Sequence, residues 1–141
     1  MENSPATPRK IAEPAPIARL IGFQPRSIEL DRAVIELEAG SQHWNPLGTV
    51  HGGVYCDLAD YAMGTSWLTG VPEGETFTTI EMKINFLRPF RTGKLIAQAT
   101  VIQRGRSIGL VECEVRDEQG RLIAKASSTC MVLRGEQATG R

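Results

Sequence analysis

The fold is decided by the segment Asn45-Pro-Leu-Gly-Thr-Val-His-Gly-Gly53 and by the apolar stretch that follows it as far as Leu68. From His51 onward, small and apolar residues recur at helical spacing on both sides of this stretch. The pattern predicts one long helix over 51–68 that is buried nearly all round. Gly70 and Pro72 are the residues expected to end it.

Strand patterns lie on both sides of this helix. Before it, a short helix over 16–21 and one or two strands within 26–37 are expected. After it, four runs place residues of one face by strict alternation: Thr78, Ile80, Met82, Ile84 and Phe86; Leu95, Ala97, Ala99 and Val101; Val111, Cys113 and Val115; Leu122, Ala124, Ala126, Ser128, Cys130 and Val132. Short links favour antiparallel pairing of these strands in chain order. The sequence therefore predicts an α+β domain in which an antiparallel sheet wraps around one long central helix.

Length and composition limit the possible classes of protein. The chain has 141 residues, of which 41% are apolar and 23% are charged, with 16 basic and 16 acidic side chains. These values favour one folded domain over 17–134, with a flexible tail over 1–16 and a frayed C-terminus over 135–141. The zero net charge gives no support to nucleic-acid binding, and no apolar run is long enough to span a membrane. The first 30 residues do not show the pattern of a secretory signal, and the three cysteines form no CxxC pair, so we expect a cytoplasmic protein with reduced thiols.

Adjacent glycines, Gly52 and Gly53, stand at the start of the predicted helix. They expose backbone N–H groups that the helix itself cannot satisfy. Such donors, aided by the helix dipole, suit a polarised carbonyl or an oxyanion. The same pair could instead serve only a tight turn and close packing, and the residues alone leave both interpretations open.

Asp60 is a carboxylate on an otherwise apolar helix, where it is costly unless it is paired or hydrogen-bonded. Burial raises the pKa of such a group and suits it to general-base or nucleophilic work. The alternative is a buried cap or a salt bridge to an arginine, and Asp57 is expected to be the solvated carboxylate. For His51, three roles remain possible: a general acid, a hydrogen-bond donor or a residue that only begins the helix. No Cys/His spacing matches a zinc motif, so no metal is predicted.

A serine-hydrolase pattern, G-x-S-x-G, occurs at Gly105-Arg-Ser-Ile-Gly109. The corresponding fold requires a histidine after the serine, whereas His43 and His51 both precede it. The pattern also lies between two predicted strands, so we exclude that class.

The pattern of Asn45, Gly48-Thr49, His51-Gly52-Gly53 and, nine residues after the histidine, Asp60 resembles that of the hotdog-fold acyl-CoA thioesterases. The phenylacetate-pathway branch is the most similar. The resemblance continues through Thr79–Pro89 and Gly93–Ala97 and covers residues 20–133. It implies a hotdog fold, a homodimer with shared active sites that is often doubled into a homotetramer, and no cofactor, since coenzyme A is part of the substrate.

The resemblance also implies a role for each matching residue. Gly52 would donate its amide to the thioester carbonyl, and Asp60 would act as general base on water or as nucleophile. Asn45 would position water or the carbonyl. His51 would lie near the departing sulfur, and Thr79 would hold the lytic water.

Substrate contacts are predicted on both sides of the thioester. The phosphates of coenzyme A need cations or free N–H groups. Arg88, Arg104 and Arg106 are assigned to this side, and Gly53 is assigned to substrate binding as well. The acyl group needs an apolar slot, for which Trp67 and Met63 are preferred to Tyr61 and Leu68 because they lie on the Asp60 side of the helix.

The spacing of Gly52 and Asp60 bears on the number of chains in the site. Eight residues separate them, which is about 12 Å along a helix that rises about 1.5 Å per residue. One thioester carbon cannot contact both residues within one chain. Two antiparallel helices across a two-fold axis are therefore predicted to build each site from two chains.

The predicted function is hydrolysis of an acyl-CoA thioester to a carboxylate and free coenzyme A. One alternative is an acyl-thioester hydratase or dehydratase on the same fold, with His51 and Asp60 as its acid–base pair. The other is a non-catalytic acyl-CoA-binding module, which would not depend on Asp60. The sequence does not identify the acyl group.

Overall fold

Six strands and one long helix make up most of the computed structural model, which describes residues 7–11 and 13–139. The elements in chain order are α1 Pro16–Ile21, β1 Phe23–Glu29, β2 Arg32–Ala39, α2 Gly52–Leu68, β3 Thr76–Phe86, β4 Gly93–Arg104, β5 Ile108–Asp117 and β6 Leu122–Leu133. Short 3-10 turns occupy Ser41–His43 and Gly135–Ala138. Both predicted helices are confirmed, and the region 26–37 contributes to two strands.

All six strands form one antiparallel sheet in the order β1-β2-β4-β5-β6-β3, and α2 packs against one face of it. The predicted α+β architecture is confirmed. The buried face of β4 has two alanines, Ala97 and Ala99, where the helix can approach the sheet closely. Leu58 of α2 and Leu95 of β4 are fully buried there. Each such leucine stabilises the fold by about 2 kcal/mol relative to an exposed one.

The strand order differs from the prediction at one point. Strands β4, β5 and β6 pair in chain order, but β3 pairs with β6 and not with β4. The prediction of four strands in sequence across the sheet is wrong because β2 already occupies the edge of β4, with Ala39 opposite Gly93. The connection 87–92 therefore crosses the end of the sheet. There the N–H groups of Leu87 and Arg88 donate to the carbonyl of Ile123 at 2.9 and 3.2 Å.

A β-bulge interrupts the alternation of β3. The register shifts between Thr79 and Glu81, so Ile80 has no partner residue on β6. A bulge of this kind moves the residues before it to the opposite face from the one that strict alternation assigns. Phe77 and Thr79 therefore face α2, and Ile80 is exposed. The prediction that Thr78 and Ile80 share one face of the strand with Met82, Ile84 and Phe86 is wrong for this reason.

One strip of α2 is not covered by the chain's own sheet. Asp57 and Asp60 are exposed, and Gly53, Cys56 and Gly64 are half-buried. The helix is therefore not buried nearly all round within one chain, as its apolar composition predicted. We call these residues the open strip of α2.

The ends of the chain lie partly outside the described residues, which exclude 1–6, 12, 140 and 141. Residues 7–11 run past the end of α2, where the Arg9 N–H donates to the Thr69 carbonyl at 2.9 Å. The predicted boundaries 1–16, 17–134 and 135–141 remain predictions. All three cysteines are unpaired. None of the helices in the part of the chain that the structure describes combines the length and hydropathy needed to cross a bilayer.

Candidate active site

The start of α2 presents one free backbone donor. His51 precedes the helix, and its ring Nδ1 accepts a hydrogen bond from the Gly53 N–H at 2.8 Å. Within the described residues, the Gly52 N–H has no acceptor. It is therefore available to a ligand and is strengthened by the positive end of the helix dipole. Gly53 is different: its amide already donates to His51, so only the Gly52 amide is free, and the predicted contact of Gly53 with the substrate stays a prediction.

The same hydrogen bond determines which nitrogen of His51 carries a proton. Because Nδ1 accepts, the neutral ring has its proton on Nε2. The side chain is exposed, so this Nε2–H is presented to solvent. His51 therefore begins the helix and also keeps a donor, which combines two of the roles considered for it.

Asn45 shapes the loop before the helix. Its side-chain oxygen accepts hydrogen bonds from the N–H groups of Leu47 and Thr49 at 2.9 and 3.3 Å, and its amide donates to Thr49 Oγ1 at 3.1 Å. These bonds close a turn at Gly48, whose φ of +79° suits glycine. An amide has two N–H groups, so the second one can still face a ligand.

A cavity of about 300 Å³ opens beside the free amide. Its lining residues come from the loop, the start of α2 and the end of β3: Asn45, Thr49, Val50, Gly52, Tyr55, Phe86, Leu87, Arg88 and Pro89. A Cβ at Gly52 would lie 3.2 Å from Phe86 Cζ, so a side chain there would fit only with a small shift of the exposed Phe86 ring. Arg88 is exposed and forms no ion pair within the described residues.

The Asp60 carboxyl lies beside Thr79, which the β3 bulge turns toward the helix. The Thr79 hydroxyl donates to Asp60 Oδ1 at 3.3 Å. The carboxyl is reached by solvent in the single chain. The surrounding protein nevertheless removes part of its hydration, which raises its pKa above the ordinary value of 3.8. Asp57 raises the pKa further, and the Thr79 hydrogen bond opposes the shift. Asp60 is thus a stronger proton acceptor than an ordinary aspartate, and no arginine pairs with it in the described part of the chain.

Two cavities meet at Asp60 and Thr79. The first, of about 370 Å³, lies between α2 and β3 and is called the α2–β3 pocket. Its lining residues are Ile11, Glu13, Ala15, Asp60, Tyr61, Gly64, Thr65, Leu68, Phe77 and Thr79. The second, of about 390 Å³, opens along β3 and is lined by Cys56, Asp57, Asp60, Thr79, Ile80, Glu81 and Met82. Asp60 therefore lies at the junction of an apolar pocket and an open groove.

Met63 and Trp67 do not line the α2–β3 pocket, although both were predicted to contact the acyl group. Both side chains are fully buried in the core. The Trp67 side chain projects from nearly the same side of α2 as Asp60. Two turns beyond Asp60, however, Gly109 and the Arg104 guanidinium cover this side of the helix. The prediction is wrong because helical spacing gives the direction of a side chain but not what covers it.

Tyr61 and Leu68 line the pocket instead, together with two residues that the sequence did not single out, Phe77 and Ile11. The bulge concealed Phe77, because strict alternation placed it on the outer face. The sequence did carry a signal for Ile11, because it is the only large aliphatic residue in the stretch 2–16.

Arg104 is engaged within the chain. Its Nε and Nη2 donate to Asp31 Oδ1 at 3.0 and 2.5 Å, and Nη2 also donates to the Trp67 carbonyl at 2.8 Å. The guanidinium lies 4.0 Å from the centre of the Trp67 ring. These contacts hold the guanidinium against the chain's own fold, and the role of Arg104 in binding the substrate's phosphates stays a prediction. Arg106 is exposed and forms no ion pair within the described residues, so its predicted role is still a prediction.

The candidate groups thus fall into two separate places. Gly52, Asn45 and Arg88 share one cavity, whereas Asp60 and Thr79 share the other two. About 12 Å of helix separates Gly52 from Asp60. Among the described residues, no group of three His, Cys, Asp or Glu side chains could hold a metal ion.

Residues 47–124, just over half of the chain, match the sequence profile described as the thioesterase superfamily. The 1,4-dihydroxy-2-naphthoyl-CoA hydrolase of Listeria monocytogenes is 30% identical over 112 residues, which are 79% of this chain and 91% of that protein.

Solved structures share the fold over most of the chain. A thioesterase from Haemophilus influenzae superposes with a TM-score of 0.80 at 27% identity, covering 84% of this chain and 82% of its own. The PaaI protein of the phenylacetic acid degradation operon of E. coli superposes with a TM-score of 0.79 at 26% identity, covering 84% and 85% of the two chains.

Proposed function

The chain belongs to the thioesterase superfamily, and on that premise we propose that it hydrolyses an acyl-CoA thioester to a free carboxylate and coenzyme A. The hotdog fold, thioester hydrolysis as the class of reaction and the likeness to phenylacetic acid degradation proteins agree with the predictions and are confirmed. The relative that acts on a CoA thioester supports coenzyme A as the leaving group.

The observation that carries the proposal is the pair of groups on α2. A free N–H at Gly52 suits the oxygen of a thioester carbonyl, and a carboxyl with a raised pKa at Asp60 suits the activation of water. The remaining residues in the two cavities support these two groups. Asn45 and His51 lie near the amide, and Thr79 holds the carboxyl.

The reaction proceeds through a tetrahedral intermediate. Asp60 takes a proton from water while the water oxygen bonds to the thioester carbon, and the carbonyl oxygen accepts a hydrogen bond from the Gly52 N–H. The C–S bond then breaks, and the thiolate recovers the proton from the Asp60 carboxyl. The Nε2–H of His51 is the donor placed to hydrogen-bond the departing sulfur.

Each active site is built from two chains in this proposal. Gly52 and Asp60 line different cavities; Asp60 lies on the open strip of α2, and the half-buried Gly52 lies one residue before Gly53, the first member of that strip. The outer edge of β3 has no partner strand within the described residues. An unpaired edge can pair with a second copy, and a two-fold axis there would set one chain's Gly52 against the other's Asp60. A dimer of such dimers accounts for the homotetramer expected from the resemblance.

Thiol release from a panel of acyl-CoAs tests the activity, with Asp60→Asn beside the wild type. We expect the variant to lose activity about 100-fold or more, because the proton acceptor is removed. Asp57→Asn is the matched control, since Asp57 lies one turn away on the same strip and is exposed. Equal losses in the two variants would contradict the role of Asp60. Binding without thiol release would favour the acyl-CoA-binding module, and addition of water to an enoyl-CoA would favour the hydratase.

A mixture of two inactive variants tests the shared site. Gly52→Pro removes the N–H at the first helical position, where proline is well tolerated, and Gly52→Ala is its control because it keeps the N–H. Heterodimers of Gly52→Pro with Asp60→Asn contain one site with both groups intact. Co-expression should therefore restore about a quarter of wild-type activity if pairing is random. A mixture as inactive as its components would place both groups in one chain.

A further inference from the structure

The α2–β3 pocket is closed on one side by the N-terminal part of the chain. Ile11, Glu13 and Ala15 form this wall, whereas the other lining residues come from α2 and β3. We call residues 7–11 the N-terminal strap. On the basis of the proposed function, we propose that the strap limits the size of the acyl group and that Ile11 is the residue that selects compact acyl thioesters over long-chain ones.

The strap is held at a defined place. The Arg9 N–H donates to the Thr69 carbonyl at 2.9 Å, and Arg9 Nη1 donates to the carbonyls of Glu75 and Pro72 at 2.8 and 3.4 Å. Thr69 is itself buried, and its hydroxyl donates to the Ser66 carbonyl at 2.6 Å. Arg9 is therefore bound to fixed backbone at the end of α2. Ile11, only two residues further, lies within about 7 Å of that anchor.

The opposite walls of the pocket are apolar and firmly packed. The Tyr61 ring rests on the buried Phe23 ring, with centroids 5.5 Å apart. Phe77 lies against Gly64, where a Cβ would come within 3.2 Å of its Cζ. These walls cannot easily move apart, so the strap is the side of the pocket that determines its size.

The dimensions of the pocket favour a compact occupant. Asp60 and Leu68, eight residues apart on α2, both line it, so it follows the helix for about 12 Å. The reacting carbonyl belongs at the Asp60 end, and the acyl group extends toward Leu68. The volume is about 370 Å³. A cavity of roughly 150 Å³ is known to hold benzene, so a ring on a short linker fits here. An extended fourteen-carbon chain is longer than this stretch of helix and would have to displace Ile11.

The test compares kcat/KM for phenylacetyl-CoA and tetradecanoyl-CoA in the wild type, Ile11→Ala and Arg9→Ala. Ile11→Ala should raise the tetradecanoyl-to-phenylacetyl ratio about tenfold, the scale on which pockets discriminate methylene groups. Arg9→Ala should move the ratio in the same direction, because it releases the strap. Lys10→Ala is the matched control on the strap, since Lys10 is exposed and does not line the pocket, and its ratio should stay within about twofold of the wild type.

Binding separates failure of this proposal from failure of the proposed hydrolysis. Calorimetry with the two thioether analogues, phenylethyl-CoA and tetradecyl-CoA, measures the same preference without turnover. A shifted affinity ratio in Ile11→Ala with no thiol release from any substrate would uphold the strap and refute the hydrolase. Unchanged ratios in both Ile11→Ala and Arg9→Ala, in proteins that unfold at the wild-type temperature, would overturn the strap proposal.

Discussion

Replacement of Arg104 by alanine should weaken the fold and leave coenzyme A binding unchanged. The guanidinium joins three parts of the chain: the turn between β1 and β2 at Asp31, the carbonyl of Trp67 and the face of the Trp67 ring. Asp31 has a φ of +60°, unusual for a residue with a side chain, and its N–H is also bound to Thr69 Oγ1 at 2.8 Å. Arg104 therefore clamps a strained turn onto the end of α2.

The magnitude follows from these contacts. A hydrogen bond to a charged group contributes about 1.5–3 kcal/mol, and partial exposure of Arg104 and Asp31 favours the lower end. Stacking of a guanidinium on an indole adds about 1 kcal/mol. We expect Arg104→Ala to lower the free energy of unfolding by about 3 kcal/mol. Arg104→Lys should lower it by about half as much, because a lysine keeps the charge but not the planar stack.

Urea unfolding at two protein concentrations measures this change and separates folding from assembly. The KM for an acyl-CoA is measured on the folded fraction of the same samples. Arg106→Ala is the matched control, since Arg106 is exposed, and its free energy of unfolding should change by less than about 0.5 kcal/mol. If Arg104→Ala unfolded like the wild type while its KM rose about tenfold, the clamp would be refuted and the phosphate role predicted from the sequence restored.

Two further predictions concern the proposed active site. Thr79→Val removes the hydrogen bond that lowers the pKa of Asp60, so the fall of kcat/KM on the acid side of its pH profile should move to higher pH. Thr79→Ser keeps the hydroxyl and should keep the wild-type pH profile. A shift of that fall to lower pH would contradict its assignment to Asp60. Arg88→Ala should raise the KM for acyl-CoA about tenfold with kcat within about twofold, because one charge-assisted hydrogen bond to a phosphate is lost; a fall in kcat at unchanged KM would show that Arg88 acts elsewhere.

The sequence was sufficient for the features that depend on neighbours in the chain. The spacing of apolar residues predicted α2, and strict alternation predicted the buried residues of β4, β5 and β6. The same local reasoning identified a helix that begins with exposed amides and carries Asp60 eight residues later. The reason is that direction along a helix or strand repeats with a fixed period, which a single sequence displays.

Features that depend on distant parts of the chain came only from the tertiary structure. Strand β3 lies beside β6 because β2 occupies the edge that chain order would have assigned to it. The bulge at Ile80 then turns Thr79 toward Asp60, against the alternation of its own strand. No local pattern encodes either outcome, since both depend on which edges and surfaces other elements have already taken.

The same distinction divides the candidate site. The sequence by itself determined which groups on α2 can do chemistry, because an unsatisfied amide and an isolated carboxylate are properties of the residue and its helix. Only the tertiary structure decided that Arg104 serves the fold, that Gly53 serves His51 and that Ile11 lines the pocket beside Asp60. Each of those outcomes follows from a contact between segments far apart in the chain, and such contacts exist only once the whole sheet has closed around its helix.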